Sequence, residues 1–216
     1  VSAFLLNRSS DLEIVGDASF SPLWSDYDKS IFYNTYDVTS LLKSQTSGLQ
    51  SQTIQVLLGN GFYNEHGLRY AKMKISFGPP TLLFRMHIEY LNGNTEDIVS
   101  DDQWKWALSP ITFNSIYGGE DYDARLEHPK EWFPVVIQEA PKGVLRQQIA
   151  KPVKIMERYS VKDTVRNDSV LVLDMGQNLA GFPEITVQGE RVQQLKLTSG
   201  ETLTKEGLVN QKQTGR

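Results

Sequence analysis

Cysteine is absent from this chain of 216 residues, which excludes disulfides, thiolate metal sites and cysteine nucleophiles. Only three histidines are present, His66, His87 and His128, and their spacing matches no zinc motif. No apolar run is long enough to cross a bilayer. The net charge of −4 argues against a broad basic surface for nucleic acid or anionic lipid. We therefore expect neither a nucleic-acid partner nor a membrane span.

The residues that are present alternate with a period of two. Between positions 82 and 91, apolar side chains occupy every second position, and Asn92-Gly93, a strong hairpin signal, follows. Strand-like segments lie at 53–58, 67–77, 82–91, 94–100, 170–174, 184–187 and 192–198. The pattern predicts an all-β chain, an antiparallel β-sandwich or jelly roll followed by a partial second β domain.

Helix is scarce in this sequence. The best candidate is a single turn at 37–43, which carries Leu41 and Leu42 and which Asp37 or Thr39 could cap. A polar, proline-containing stretch at 139–156 predicts a domain boundary, with one β-sandwich over 1–148 and a truncated second domain over 155–216. Position 1 is Val1 and no closing element precedes Arg216, so we expect a fragment of a longer polypeptide.

The most informative part of the chain is residues 118–125, called here the acidic segment, which read Gly-Gly-Glu-Asp-Tyr-Asp-Ala-Arg. Acids, aromatics and one guanidinium at this density suit sugar hydroxyls or a hard cation. The candidate substrate-binding residues are Tyr117, Glu120, Asp121, Tyr122, Asp123 and Arg125. Glu120, Asp121 and Asp123 are also candidate calcium ligands, although their spacing is not that of an EF-hand. A structural interpretation competes with both: a tight turn into an edge strand, with Asp123 and Arg125 paired on the surface.

A second polar and aromatic run, Gly59-Asn60-Gly61-Phe62-Tyr63, contributes Asn60 and Tyr63 as further candidate binding residues. Its Gly-x-Gly lacks the third glycine and the following helix of a dinucleotide fingerprint. A strand ending in a bulge or sharp bend accounts better for these glycines.

Four runs of the chain, in order, together resemble the N-terminal part of bacterial α-L-rhamnosidases. They are Trp24-Ser25-Asp26-Tyr27 with Tyr36-Asp37-Val38-Thr39; Leu58-Gly59-Asn60-Gly61-Phe62-Tyr63; Tyr117-Gly118-Gly119-Glu120-Asp121-Tyr122-Asp123-Ala124-Arg125; and Asp174-Met175-Gly176-Gln177-Asn178-Leu179-Ala180-Gly181-Phe182. Phe62 and Phe182 stand where the family commonly has tryptophan. The resemblance implies an N-terminal β-sandwich followed by the start of a concanavalin-like β domain.

The same resemblance implies where the chemistry lies. In this family two carboxylic acids of an α/α barrel hydrolyse the terminal L-rhamnosyl bond with inversion. That barrel is absent from these residues, so we expect no catalytic residue here. The region would assist recognition of rhamnose-containing glycans or brace the barrel of the same chain. No cofactor is required, related modules use calcium, and the compartment (periplasmic, extracellular or cytoplasmic) stays open.

Two alternatives remain at this stage. The chain could itself be an enzyme, with Glu120 and Asp123, or Asp101 and Asp102, as its acid pair. An inverting pair needs carboxyl groups about 6.5–9.5 Å apart across a cleft, which neighbours in sequence rarely present. The chain could also be a stand-alone carbohydrate-binding or structural β-sandwich without a hydrolase partner.

Overall fold

The computed structural model describes residues 2–7, 12–43, 53–67, 69, 73–167, 170–190 and 193–213. The chain divides into two compact units, Val1–Lys154 and Ile155–Arg216. In the described residues the strands are β1 (Ser2–Asn7), β2 (Glu13–Val15), β3 (Ala18–Phe20), β4 (Ser30–Tyr33), β5 (Thr53–Leu58), β6 (Asn64–Glu65), β7 (Ile75–Ser76), β8 (Arg85–Glu89), β9 (Thr95–Val99), β10 (Lys105–Trp106), β11 (Ile111–Ser115), β12 (Gly119–Tyr122), β13 (Phe133–Pro134), β14 (Val144–Gln147), β15 (Val153–Lys154), β16 (Asp163–Asn167) and β17 (Val170–Asp174).

Helix in the same residues is limited to α1 (Thr39–Lys43) and to 3₁₀ turns at Ala124–Leu126 and Gln211–Gln213. The start of α1 is capped as expected, because the Asp37 carboxylate accepts a hydrogen bond from the Thr39 amide at 2.9 Å. No helix in the described part of the chain has the length and hydrophobicity needed to cross a bilayer. The prediction of an all-β chain with very little helix is confirmed.

Antiparallel pairs dominate the sheets, and most of them are short. β1 lies between β2 and β5, and two-stranded antiparallel pairs form from β6 and β7, β8 and β9, β10 and β13, β11 and β12, β3 and β15, and β16 and β17. The predicted hairpin at Asn92-Gly93 is present, with Glu89 opposite Thr95 and Gly93 at φ 86°. The predicted strands 53–58 and 170–174 are found at those bounds.

One pair of strands is parallel, which the antiparallel prediction did not include. β14 runs parallel to β4, with Val144 opposite Ser30 and Gln147 opposite Tyr33. Parallel neighbours require a long crossover connection, and these two strands come from opposite ends of the first unit. The pairing therefore brings residues after β4 close to residues after β14.

Two strand predictions in the second unit are wrong. Residues 184–187 form no strand, and neither do residues 193–198, whereas Val192 lies outside the described residues. Alternating apolar side chains mark a segment that can form a strand, but a strand exists only where a neighbour takes its backbone hydrogen bonds. Of the predicted strand 67–77, only Ile75–Ser76 is a strand among the described residues.

Few side chains are buried in the described part of the chain. The buried apolar ones are Val15 and Met86 in the first unit and Val172 in the second. Two buried side chains are polar, Ser21 and Glu65, and Glu65 is the more enclosed, with 2% of its surface exposed. A buried carboxylate is costly unless donors surround it, so Glu65 marks a place where the fold is strongly specified.

Gly143 should not tolerate a side chain. Its amide donates to the Tyr27 carbonyl at 3.1 Å, where β14 begins to pair with β4. A Cβ at this position would collide with that carbonyl oxygen and would lie 2.9 Å from the Ser30 nitrogen. We expect Gly143→Ala to lower the free energy of unfolding by about 1–3 kcal/mol, measured by chemical denaturation.

Gly181→Ala is the matched control, because no atom lies within 4 Å of the Cβ it would add. It should change stability by no more than about 0.5 kcal/mol. Equal stability of the two variants would contradict the close approach of β14 to the Tyr27 carbonyl.

Candidate functional site

The acidic segment forms the second half of a hairpin. β11 and β12 pair antiparallel, with Ser115 opposite Gly119, and Gly119 takes the left-handed φ of 74° at the turn. Among the described residues β12 pairs with β11 alone. The turn and the edge strand of the structural interpretation are therefore both present.

A buried carboxylate holds the turn of this hairpin. Glu65 Oε2 accepts hydrogen bonds from the Ser115 hydroxyl at 2.8 Å and from the Ile116 amide at 3.0 Å. Its other oxygen, Oε1, accepts from the Gly67 amide at 2.7 Å. Ser115 also accepts a hydrogen bond from the Gly118 amide at 2.8 Å. The first residue of the acidic segment is thus connected to the buried charge through one hydroxyl group.

These donors determine the protonation of Glu65. Burial opposes the ionised form, but the hydrogen bonds from Gly67, Ser115 and Ile116 outweigh it, and the pKa of Glu65 lies below its usual value. The group is therefore an anion at neutral pH and not a proton donor.

Asp121 is held by an arginine outside the acidic segment. Arg69 Nη1 donates to Asp121 Oδ1 at 2.8 Å, and Nη2 contacts Oδ2. The Arg69 guanidinium also lies over the Phe113 ring, 3.9 Å from its centroid. Phe113 and Asp121 are opposite each other in the hairpin, so one arginine contacts both strands. Hydrogen bonding to Arg69 lowers the pKa of the Asp121 carboxyl.

Asp123 and Arg125 pair with each other. Asp123 caps the 3₁₀ turn at Ala124–Leu126 by accepting from the Arg125 amide at 3.0 Å, and its carboxylate also accepts from Arg125 Nε at 2.8 Å. The Arg125 side chain, followed by that backbone amide, lowers the pKa of Asp123 to about 2. This is the surface ion pair that the structural interpretation describes.

Three further candidate residues, Tyr117, Glu120 and Tyr122, lie in or beside the acidic segment. Tyr122 donates a hydrogen bond from its hydroxyl to Glu127 at 2.7 Å, which raises the pKa of Tyr122. Glu120 is exposed, and the alternation of a strand places it on the face opposite Asp121. Tyr117 lies edge-on to Phe62, with ring centroids 6.1 Å apart.

The three acids do not fit a calcium ion in this arrangement. Asp121 is engaged by Arg69, Asp123 by Arg125, and Glu120 faces away from Asp121. No group of three or more His, Asp or Glu side chains in the described part of the chain could hold a metal ion. Calcium binding by this segment stays a prediction without support from the donor geometry.

Asn60 bonds the hairpin, whereas the ring contacts of Tyr63 are with other parts of the first unit. The Asn60 amide nitrogen donates to Asn114 Oδ1 at 2.9 Å, and Asn60 Nδ2 donates to the Asn114 carbonyl at 3.0 Å. Tyr63 instead packs against Tyr27 and Phe77, with centroid separations of 5.0 and 5.5 Å. Both side chains make contacts within the protein, and their role in substrate binding stays a prediction.

Sequence analysis missed Glu65 and Arg69, which hold the hairpin together with Asn60. We call these three the anchoring residues. Their partners lie 50 to 54 positions further along the chain. No local pattern in the sequence reveals such a separation. The other proposed acid pair, Asp101 and Asp102, lies after β9, where Asp101 accepts from the Gln103 amide and Asp102 from the Gln103 side chain.

Comparison with known proteins finds two domain families that match this all-β chain. Residues 13–157 match the α-L-rhamnosidase N-terminal domain, and residues 164–216 match the bacterial α-L-rhamnosidase concanavalin-like domain. The chain therefore belongs to the bacterial α-L-rhamnosidase family, which confirms the resemblance.

Individual relatives agree. An α-L-rhamnosidase from Formosa agariphila is 31% identical over 210 residues, which are 90% of this chain and 21% of the relative. The structure of an α-L-rhamnosidase from Streptomyces avermitilis complexed with L-rhamnose is 28% identical with a TM-score of 0.67, over 82% of this chain and 17% of that chain. One from Dictyoglumus thermophilum is 31% identical with a TM-score of 0.65, over 82% and 19%. The chain thus spans about a fifth of the length of these relatives.

Glu65→Gln should weaken the hairpin in a pH-dependent way. An amide accepts through only one of its two heavy atoms, so at least one buried donor among Gly67, Ser115 and Ile116 loses its acceptor. We expect a loss of about 2 kcal/mol in the free energy of unfolding at pH 7, measured by urea denaturation.

The sign of the pH dependence follows from the lowered pKa of Glu65. Its stabilisation is present above the pKa of the unfolded chain and is lost as pH falls through the folded pKa, so the two proteins should converge in acid. Glu120→Gln, an exposed carboxylate of the same hairpin, is the control and should stay within about 0.5 kcal/mol of the parent. A loss that is constant at all pH values would contradict ionisation of Glu65.

The Asp123–Arg125 pair predicts an unusual titration. The Asp123 carboxyl carbon should titrate by NMR with a midpoint of about 2, and Arg125→Gln should move that midpoint upward, toward the ordinary aspartate value. Arg85→Gln, which removes the partner of Asp97 instead, should leave Asp123 unchanged. An ordinary midpoint in the parent protein would refute the pairing.

Proposed function

We propose that this chain is a non-catalytic region of an α-L-rhamnosidase and that it braces the catalytic part of the same polypeptide. The parent polypeptide would release terminal L-rhamnose from rhamnose-containing glycans or glycosides. Support comes from the relatives named above, which are α-L-rhamnosidases, and from the two matched domains, neither of which is the α/α barrel that carries the family's catalytic acids.

The observation that carries the non-catalytic assignment is that three carboxyl groups in or beside the hairpin are held in the ionised form. An inverting glycosidase needs one carboxylic acid whose pKa is raised, so that it can protonate the leaving oxygen. Glu65, Asp121 and Asp123 are all shifted the opposite way by the donors around them. None of these three groups can supply a proton near neutral pH.

Bracing is favoured over sugar binding at the acidic segment because its polar groups are engaged internally. A sugar hydroxyl would have to share the Asp121 carboxylate with Arg69 or the Asp123 carboxylate with Arg125. The first unit also exposes large apolar side chains around β10 and β13, where Trp106 stacks on Phe133 at 5.1 Å. Apolar surface of this kind is typical of contacts with another domain.

The sharpest test concerns two residues that follow β13. Val136 and Ile137 are 75% and 68% exposed, so replacing them costs the present chain little if nothing covers them. In the complete polypeptide, the double variant Val136→Ser, Ile137→Ser should lose its aryl α-L-rhamnosidase activity at elevated temperature with a half-life about tenfold shorter than that of the parent. Its kcat/KM at low temperature should be unchanged. In the 216-residue chain alone the same change should shift stability by at most about 0.5 kcal/mol.

Gln138→Ser, the next position along the chain, is the matched control and should leave both proteins unchanged. Equal half-lives for the double variant and the parent would contradict the proposal that this region braces the catalytic part. Hydrolysis of the rhamnoside by the 216-residue chain, abolished by Glu120→Gln or Asp123→Asn, would overturn the non-catalytic assignment instead.

A further inference from the structure

A polar cleft with a volume of about 230 Å³ opens in the first unit and shares no residue with the acidic segment. Its walls come from distant parts of the chain: Asp17 beside β3, residues 34–36 after β4, Gln147 and Gln148 at the end of β14, and Lys154 on β15. The parallel pairing of β4 with β14 and the antiparallel pairing of β3 with β15 bring these parts together.

One wall of the cleft is an aromatic ring in a fixed position. The Tyr36 hydroxyl lies 3.2 Å from the hydroxyl of buried Ser21, to which Asn34 Nδ2 also donates. Gly16 lies against the ring, so closely that a Cβ there would be 2.6 Å from Tyr36 Cε1. Tyr36 and Asn34 are therefore held in place before any ligand arrives, which lowers the entropic cost of binding.

Gln148 is a structural part of the cleft. Its Oε1 accepts from the Leu23 amide at 2.8 Å, and its Nε2 donates to the Ala150 carbonyl at 3.0 Å. Three polar groups that line the cleft have no hydrogen-bond partner among the described residues: the side-chain amide of Gln147, the Thr35 hydroxyl and Asn34 Oδ1. The cleft thus offers both donors and acceptors that no described residue of the protein engages.

The charges at the cleft cancel. Lys154 Nζ contacts Asp17 Oδ2 at 2.7 Å, and these two are the only charged side chains among the described residues that line the cleft. A ligand with a net charge would meet one member of this pair as a like charge, whereas a neutral polar ligand would not.

We propose that this cleft binds a single neutral pyranose ring. The Tyr36 ring would pack on the apolar face of the sugar, and the Gln147 amide, Thr35 hydroxyl and Asn34 carbonyl would bond its hydroxyls. The volume is below the roughly 300–1,000 Å³ of pockets for drug-sized ligands, which fits one ring and not an oligosaccharide. The proposal holds independently of the brace, because none of its residues belongs to β10, β13 or residues 136–138.

The test is an NMR titration of the 216-residue chain with D-glucose, L-rhamnose and D-glucuronate. We expect saturable shifts of the Gln147 side-chain amide and the Thr35 backbone amide, with millimolar affinity for at least one neutral sugar. Gln147→Ala should weaken that affinity about tenfold, because one hydrogen bond to the sugar is lost. Gln138→Ala removes an exposed glutamine outside the cleft and should leave the affinity unchanged.

Three outcomes would overturn the proposal. The first is that neither D-glucose nor L-rhamnose produces saturable shifts of the cleft residues at concentrations up to about 0.1 M. The second is tighter binding of D-glucuronate than of D-glucose, which would contradict the charge balance. The third is equal affinity of Gln147→Ala and the parent. If Gln147→Ala does not fold, Thr35→Val, which keeps the side-chain shape and removes only the hydroxyl, replaces it with the same expected direction.

Discussion

The buried carboxylate of Glu65 is the constraint on which the hairpin of β11 and β12 depends. A charge taken out of water is tolerated only where donors replace the water, and Glu65 finds three of them on two separate parts of the chain. Two of these donors belong to the end of β11 and the turn after it, so the position of the turn is fixed relative to β6. Two further contacts hold the same hairpin: Asn60 bonds Asn114 on β11, and Arg69 bonds Asp121 on β12.

The exposed ion pairs of the acidic segment have a different consequence. The Arg125 side chain of the Asp123–Arg125 pair is 88% exposed, and solvent screens an ion pair of this kind so strongly that it contributes little to stability. Their effect is on protonation, because each arginine keeps its carboxylate ionised and occupied. Asp121 and Asp123 are therefore poor proton donors near neutral pH. Calcium binding by the acidic segment stays a prediction.

Local patterns predicted the local structure well. The strand at 170–174 and the Asn92-Gly93 turn depend on neighbours a few positions away, and both are found. Of the segment 82–91, Arg85–Glu89 forms a strand. Glu65 and Arg69 could not be predicted as anchoring residues, because nothing near them in sequence indicates partners about 50 positions further on. The predicted strand at 184–187 is absent because a strand needs a hydrogen-bonding neighbour as well as an alternating pattern. No described strand pairs with these residues.

The same contrast between local patterns and long-range contacts bears on ligand binding by the acidic segment and by the cleft. A sequence draws attention to charged and aromatic side chains, yet charged groups are the ones that a fold must pair with each other. Recognition of a neutral molecule depends instead on amides and hydroxyls that remain available, such as the side chains of Gln147 and Thr35, which have no hydrogen-bond partner among the described residues. Such residues are common in every sequence, and only the pairing of β4 with β14 and of β3 with β15 brings them to one place.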